Sequence, residues 1–290
     1  MQIFKHLTLL YFFILSISTF SFAQSELWKE SKVMLYDTSE VTRNTAQVRV
    51  SRIVDSLLQV PSGWDYPLDT IRFISALRAS DGAFRIITWN VPQADGTYRF
   101  FGRVRMKNNG KIAGKTIVLN DASASITKAG SKQIGSEEWF GALYYQIIKT
   151  KYKKSIYYTL LGWDGNTAFS NKKLVDVMMI QADGTLKFGA PIFDDGKRTR
   201  HRFFFEHAER AVMSLKYQEK TGLIIFDHLA PSQPSLEGQY EFYAPDFTTD
   251  AFKFEKGKWV YIKNYEARNE DEVQPINRKK PEKGLTPQKQ

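Results

Sequence analysis

The chain has 290 residues, 42% of them hydrophobic, and a formal net charge of +10. It contains no cysteine, which excludes disulfides, zinc–thiolate sites, thiol nucleophiles and a lipoprotein anchored through an N-terminal cysteine. A chain of this length buries a substantial core without covalent staples, and its excess positive charge points to anionic surfaces as partners.

The first element in chain order is the leader MQIFKHLTLLYFFILSISTFSFAQ. Lys5 precedes an apolar run, Leu7 to Ile17, and Ser21 and Ala23 place small residues before a cut at Gln24. This is the pattern of a secretory signal peptide over 1–23, and the apolar run is short for a bilayer span. The expected localisation is export: periplasmic, outer-membrane-associated or extracellular, with no transmembrane span after cleavage. Export argues against nucleic acid as the partner of the basic surface and favours an envelope protein or an anionic glycan or lipid surface.

An N-terminal helical segment is predicted over 24–66. Ser25 to Tyr36 reads as a short helix. Glu40 to Gln59 is the stronger one, with Ala46, Val50, Ile53 and Leu57 on one stripe and Asp37, Thr38 and Ser39 available as caps. Pro61 and Gly63 end it.

After Pro67 the period changes to two. "TIRFISAL" alternates Ile71, Phe73, Ser75 and Leu77, and short aromatic and β-branched runs then recur with turn residues between them. The predicted hairpins close at Asp81-Gly82, "QADGT", "KNNGK", Lys149–Lys154, the second "QADGT", Gln218–Thr221 and Lys256-Gly257. The expectation is a mainly β body over 67–268: an antiparallel meander, propeller-like, sandwich or partly closed barrel. A polar tail over 269–290 has no apolar period and is expected to be disordered.

QADGTYRF (93–100) and QADGTLKF (181–188) pose a choice between a repeated ligand site and two turns. Each loop offers one carboxylate, Asp95 or Asp183, far short of a calcium loop's ligand set. Asp-Gly is what a tight turn needs, so the turn reading is preferred.

Candidate chemistry is sparse. Leu160–Lys173 gathers Asp164, Asn166, Ser170 and Asn171 in one loop; Asp164, Asn166 and Asn171 are its candidates for metal or sugar binding, against the plainer reading of a polar hairpin connection. Phe193–His207 joins Asp194 and Asp195 to Lys197, Arg198, Arg200 and Arg202, a candidate grip for phosphate, sulfate or carboxylate, against a solvated charged loop. Asp164, Asp194, His201 and His207 are the candidate catalytic residues. No metal site is expected: the HExxH spacing is missing, and neighbours on a strand, such as Glu206 and His207, face opposite ways. The chain carries no GxSxG, no phosphate loop and no GxGxxG, and no cofactor is implied. Trp89, Trp139, Trp163 and Trp259, with Tyr144, Tyr145, Tyr157 and Tyr158, are either sugar-stacking platforms or core, and core is favoured.

At "SFAQ", "RIITWN", "WFGALYY" and "YYTLLGWDGNTAFSNKKLVDV" the chain resembles an uncharacterised family of exported β-rich proteins of Gram-negative bacteria. The resemblance spans Glu40 to the last hairpin and implies export and a shared β body, with no activity attached. The functional expectation is a non-enzymatic envelope or secreted interaction protein. The alternatives are a glycan-binding module using exposed aromatics and a hydrolase with an Asp/His site.

Overall fold

The computed structural model describes residues 23–108 and 114–266. The leader over 1–22, the tail over 269–290 and residues 109–111 of the Lys107–Lys111 turn lie outside them.

Two helices open the described chain, α1 over residues 23–36 and α2 over Glu40–Gln59. Ser39 caps α2 by accepting from the Thr42 N–H, and the Asp37 carboxylate accepts the Ser39 N–H at 2.8 Å. The buried stripe of α2 runs through Ala46, Val50, Val54, Leu57 and Leu58. Each such side chain, once buried, contributes about 1.5–3 kcal/mol where it is large. At Gly63 the chain folds back so tightly that a Cβ would sit 1.6 Å from the Leu57 carbonyl oxygen, a packing only glycine permits.

The first sheet runs in order β1 (Ser75–Arg78), β2 (Phe84–Pro92), β3 (Tyr98–Met106) and β4 (Thr116–Asn120), all antiparallel. The strand expected from "TIRFISAL" begins only at Ser75. Leu68–Thr70 is a 3-10 turn, and the Ile74 N–H bonds the Ile71 carbonyl at 3.0 Å. That turn buries Ile71 and Ile74 together against the helices, which a pleated strand would have sent to opposite faces.

The second sheet contains β5 (Ile134–Gly135), β6 (Leu143–Tyr152), β7 (Ser155–Asp164), β8 (Ser170–Ile180) and β9 (Leu186–Phe188), in spatial order β5-β9-β8-β7-β6. Strands β10 (Phe193–Asp194) and β11 (Thr199–Arg200) follow, then β12 (Phe203–Ala208), which pairs with the first half of β8. The third sheet joins β10 and β11 to β13 (Leu215–Gln218), β14 (Leu223–Pro231), β15 (Tyr243–Glu255) and β16 (Lys258–Ile262), in order β11-β10-β16-β15-β14-β13. Among these named ladders only β10–β16 is parallel. The expected basic turn Lys149–Lys154 is shorter than predicted: β6 runs on to Tyr152, and Lys153 takes a positive φ of 52°. "LKFGAPIF" also breaks in two, because Gly189 leaves the strand at φ +85°.

The layers stack in a row. Ile87, Trp89 and Val91 of the first sheet face the helices. Its other face meets the second sheet through Phe84, Phe100, Tyr158, Leu160 and Phe188. The second sheet's far face meets the third through Leu161, Val175, Phe205, Phe226, Phe252 and Trp259. The protein is thus mainly β and antiparallel, a sandwich extended to three sheets, with one sheet curled toward a half-barrel. Burial on both faces explains the nearly unbroken apolar run of β7. It also splits the tyrosine doublet: Tyr144 lies in the first interlayer, and Tyr145 reaches the third sheet, bonding the Leu215 carbonyl at 2.9 Å.

Both QADGT segments are hairpin turns of one design. Gln93 N–H bonds the Thr97 carbonyl at 2.8 Å and Gln181 N–H bonds that of Thr185 at 2.9 Å. Asp95 and Asp183 each accept from the backbone N–H and the hydroxyl of the threonine two residues on. The first turn joins the second and third strands of its sheet, and the second joins β8 to β9. The two occupy unlike places, so their spacing is no structural repeat.

Candidate functional site

Strand β4 stops at Asn120 while β3 continues past it to Tyr98. Asp121 takes over at that point. Its Oδ2 accepts the Phe100 N–H at 2.9 Å, and its Oδ1 accepts from Ser123 N–H, Ser123 Oγ and Gly141 N–H. The carboxylate replaces a missing strand partner and turns the chain away, which leaves a cleft of about 890 Å³ at the edge of the first sheet. Strand β3 forms one wall at the sheet edge, with Tyr98 and Phe100 on its second-sheet side and Arg99, Phe101 and Arg103 on its helix side, where Gln47 and Ser51 from α2 extend it. Asp164, Asn166 and Lys172, from the end of β7, the loop and β8, form the other.

Each wall is held from behind. Arg103 grips Asp55 of α2 at 2.6 and 3.0 Å, and Tyr98 packs edge-on against Trp163 at 5.2 Å between centroids. A Cβ on Gly165 would meet the Tyr98 ring at 2.2 Å, and one on Gly96 (φ +82°) would meet Ala168 Cβ at 2.7 Å. The first QADGT turn and the loop after β7 therefore pack as one body. Asn166, at a positive φ of 47°, donates to Ser170 Oγ (2.7 Å) and Glu206 Oε1 (2.9 Å). Ser170 Oγ also donates to Glu206, and Lys172 Nζ stands 3.6 Å from Glu206 Oε2.

Asp164 is 7% exposed, and among the described residues it accepts one hydrogen bond, from the Asn166 N–H at 2.8 Å. Burial pushes its carboxyl up from 3.8 to about 6; the Asn166 N–H and Lys172 pull it back, and the charges of Asp121 and Glu206 add to the rise.

The structure brings Asp164 and Asn166 together on the cleft. Asn171 lies one register step along β8, paired with His207, and donates to the Glu209 carbonyl at 3.0 Å. His207 is on the face of β12 that carries Phe203 and Phe205 toward the third sheet, and Glu206 is on the other. It is 3% exposed, its Nδ1 lies 2.8 Å from the Ala208 carbonyl, and burial lowers its pKa. His201 is half-buried, its pKa lowered by burial and by Arg202, and its backbone N–H bonds Gly130. Asp194 sits on β10 and pairs with Lys258 at 3.1 Å, away from the Asp164 cleft. Among the described residues no three His, Asp or Glu side chains gather as metal ligands.

The expected anion grip does not assemble as one group. Arg202 is fully buried, with Nε 2.8 Å from Asp176 Oδ2 and Nη1 donating to the Ala129 carbonyl at 2.7 Å. The Nε–H is not aimed at that oxygen, so the contact is an ion pair more than a hydrogen bond. Arg200 pairs with Asp195 at 2.9 Å, and the exposed Arg198 stands 4.0 Å from the same carboxylate. Burial raises the Asp195 carboxyl, but the N–H groups of Arg198 and Lys197 and the Arg200 guanidinium outweigh it and hold it at about 2. Of the four cations, only Lys197 is without an ion pair among the described residues.

Trp89, Trp139, Trp259 and Tyr144 are fully buried, and Tyr158 nearly so. The rings that line the cleft are Tyr98, Phe100, Phe101 and Phe140. Sequence reasoning passed over Asp121, Tyr98 and Arg103. Asp121 had a signal, since an Asp at the end of a strand before Ala-Ser-Ala-Ser is a capping position. The others are ordinary β3 residues, and only the early end of β4 uncovers them.

No protein-family model, no curated protein and no solved structure matches this chain.

Proposed function

We propose that this is an exported envelope or secreted binding protein whose cleft at Asp164 holds a glycan. The observation that supports it best is the composition of that cleft: the Tyr98 and Phe101 rings, one on each face of the β3 edge, stand with guanidinium, amide, hydroxyl and carboxyl groups on a rigid frame. Sugars present both apolar ring faces and dense hydroxyls, and such a surface meets both. Most of the acids nearby serve the frame. Asp121 accepts four hydrogen bonds, and Glu206 is tied to Asn166, Ser170 and Lys172.

Export rests on the leader pattern, and the net charge of +10 suits an acidic polysaccharide or another anionic envelope surface. Among the described residues no helix is long and apolar enough to cross a membrane.

Calorimetric titration with a panel of neutral and acidic oligosaccharides tests the reading. Saturable binding that is lost in Tyr98→Ala supports it. A folded protein that binds no member of the panel removes it.

Asp164 supports a second reading, a glycoside hydrolase. A carboxyl near 6 retains enough proton at neutral pH to serve as a general acid. Reducing-end release that disappears in Asp164→Asn while binding persists would select the hydrolase; binding without release selects the module.

A further inference from the structure

A second cleft, of about 510 Å³, opens between β12 and the third sheet. Phe203, Phe205, Phe226, Tyr240, Tyr243 and Tyr261 line it. At its wall the β14–β15 ladder breaks: Asp227 pairs with Thr249, but Leu229 pairs with Pro245. The extra residues of this bulge, Asp246 to Thr248, are on β15, and the single residue opposite them, His228, lines the cleft. Its Nδ1 lies 2.7 Å from Oδ2 of Asp250, a carboxylate 1% exposed. The same Oδ2 accepts from the Tyr261 hydroxyl at 2.5 Å, and Oδ1 accepts from the Asn264 N–H at 2.9 Å. Three groups thus fix Asp250, and Asp250 orients the imidazole, with Nε2 as the nitrogen not engaged by it.

Each carboxylate around this cleft already has a hydrogen-bond or ion-pair partner. Asp195 is taken by Arg200, Glu206 by Lys172 and its neighbours, Asp250 by His228 and Tyr261, and Asp227 by the Ser214 N–H at 2.7 Å. Lys197 and Lys263 line the cleft, are exposed, and have no ion pair among the described residues. Aromatic rings beside two ammonium groups that make no ion pair among the described residues, and a fixed imidazole, form a surface for a ligand with an apolar or aromatic body and an anionic head.

We propose that this cleft is a second ligand site, separate from the Asp164 cleft, that binds aromatic carboxylates or phosphates, with the rings holding the body and Lys263, Lys197 and His228 the head. The claim does not rest on the glycan reading.

The test is calorimetric titration of the purified protein with 2-naphthoate, with its neutral isostere 2-naphthamide, and with 2-naphthyl phosphate. Both anions are expected to bind saturably, and the amide about tenfold more weakly, as loss of one charge-assisted contact implies. Lys263→Met is expected to weaken the anions about tenfold and leave the amide unchanged, since Lys263 is exposed and its removal leaves the fold intact. His228→Gln should act in the same direction, and Tyr98→Ala, in the other cleft, should have no effect. The relative strength of the two anions identifies the preferred head group. Equal binding of acid and amide, no saturable binding, or anion binding unmoved by Lys263→Met would overturn the proposal.

Discussion

Arg202 Nε stands 2.8 Å from Asp176 Oδ2 with both side chains at zero exposure, in the middle of a buried polar line. Trp139 Nε1 donates to the Tyr144 hydroxyl (3.0 Å), which donates to Asp176 (3.3 Å), while Arg202 reaches on to the Ala129 carbonyl. Burial, and then the Asp176 charge, drive the Tyr144 pKa well above its usual value, so the phenol stays a donor. Arg202, one of the four residues expected to grip an anion, is therefore an internal strut.

Removing one member of such a pair strands the other in the core, at a cost of about 3–5 kcal/mol. Arg202→Met and Asp176→Asn are each expected to destabilise by about that much, with the double variant costing less than the sum. Urea unfolding of the four proteins measures it. A change in Arg202→Met within the ~0.5 kcal/mol of a surface substitution would show that Arg202 faces solvent.

Asp164 makes the pH profile slope. In the unfolded chain its carboxyl loses its proton near 3.8, and in the fold near 6. Between those values the folded protein holds a proton that the unfolded chain has released, so stability falls as pH rises from about 4 to about 6 and stays reduced above. The loss is on the order of 3 kcal/mol. Asp164→Asn keeps the acceptor for the Asn166 N–H and removes the charge. It should be more stable than the parent at pH 7, with the difference closing by about pH 4. Thermal midpoints across that range give the answer, and parallel curves would count against a buried, perturbed Asp164.

His207 works in the opposite sense. Burial holds its folded pKa below the ordinary value, and no described group bonds its Nε2. The unfolded chain takes up a proton first as pH falls, so the stability of the neutral, buried ring is present above about 6.5 and is lost below it. His207→Leu should gain on the parent as pH is lowered from 8 to 5, read as a change in the difference of unfolding midpoints. A difference that stays constant with pH would mean that His207 titrates as an exposed histidine.

The twin turns differ in what surrounds them. Gly96 and Gly184 both need positive φ, +82° and +79°, but Gly96 also abuts the loop after β7, within 2.7 Å of Ala168 Cβ for any added methyl. Gly184→Ala should cost about 1 kcal/mol of turn strain. Gly96→Ala should cost more, about 2–3 kcal/mol, and should also weaken ligand binding in the Asp164 cleft by displacing its wall. Equal effects in the two variants would show that the two loops are not coupled.

Local chemistry determined a good deal of this protein by itself. Capping oxygens before an apolar stripe and a proline after it delimited α2 at Glu40–Gln59. Turn residues between β-type runs, Asp-Gly in three of them, located the hairpins, because only a few residue types tolerate those backbone angles. Alternation along Tyr157-Tyr158 was enough to send one ring to each face.

Tertiary structure alone decided the rest, because its causes act between residues far apart in the chain. Nothing near Arg202 announces that Asp176, on β8, will neutralise it. His228 and Asp250 meet across neighbouring strands although 22 residues separate them in the chain. The Asp164 cleft exists because β4 ends before β3 does, and strand lengths in a sheet are settled by pairing. Periodicity reports which face a side chain takes on its own element. Which layer covers that face, and which charge waits there, is fixed only when the three sheets stack.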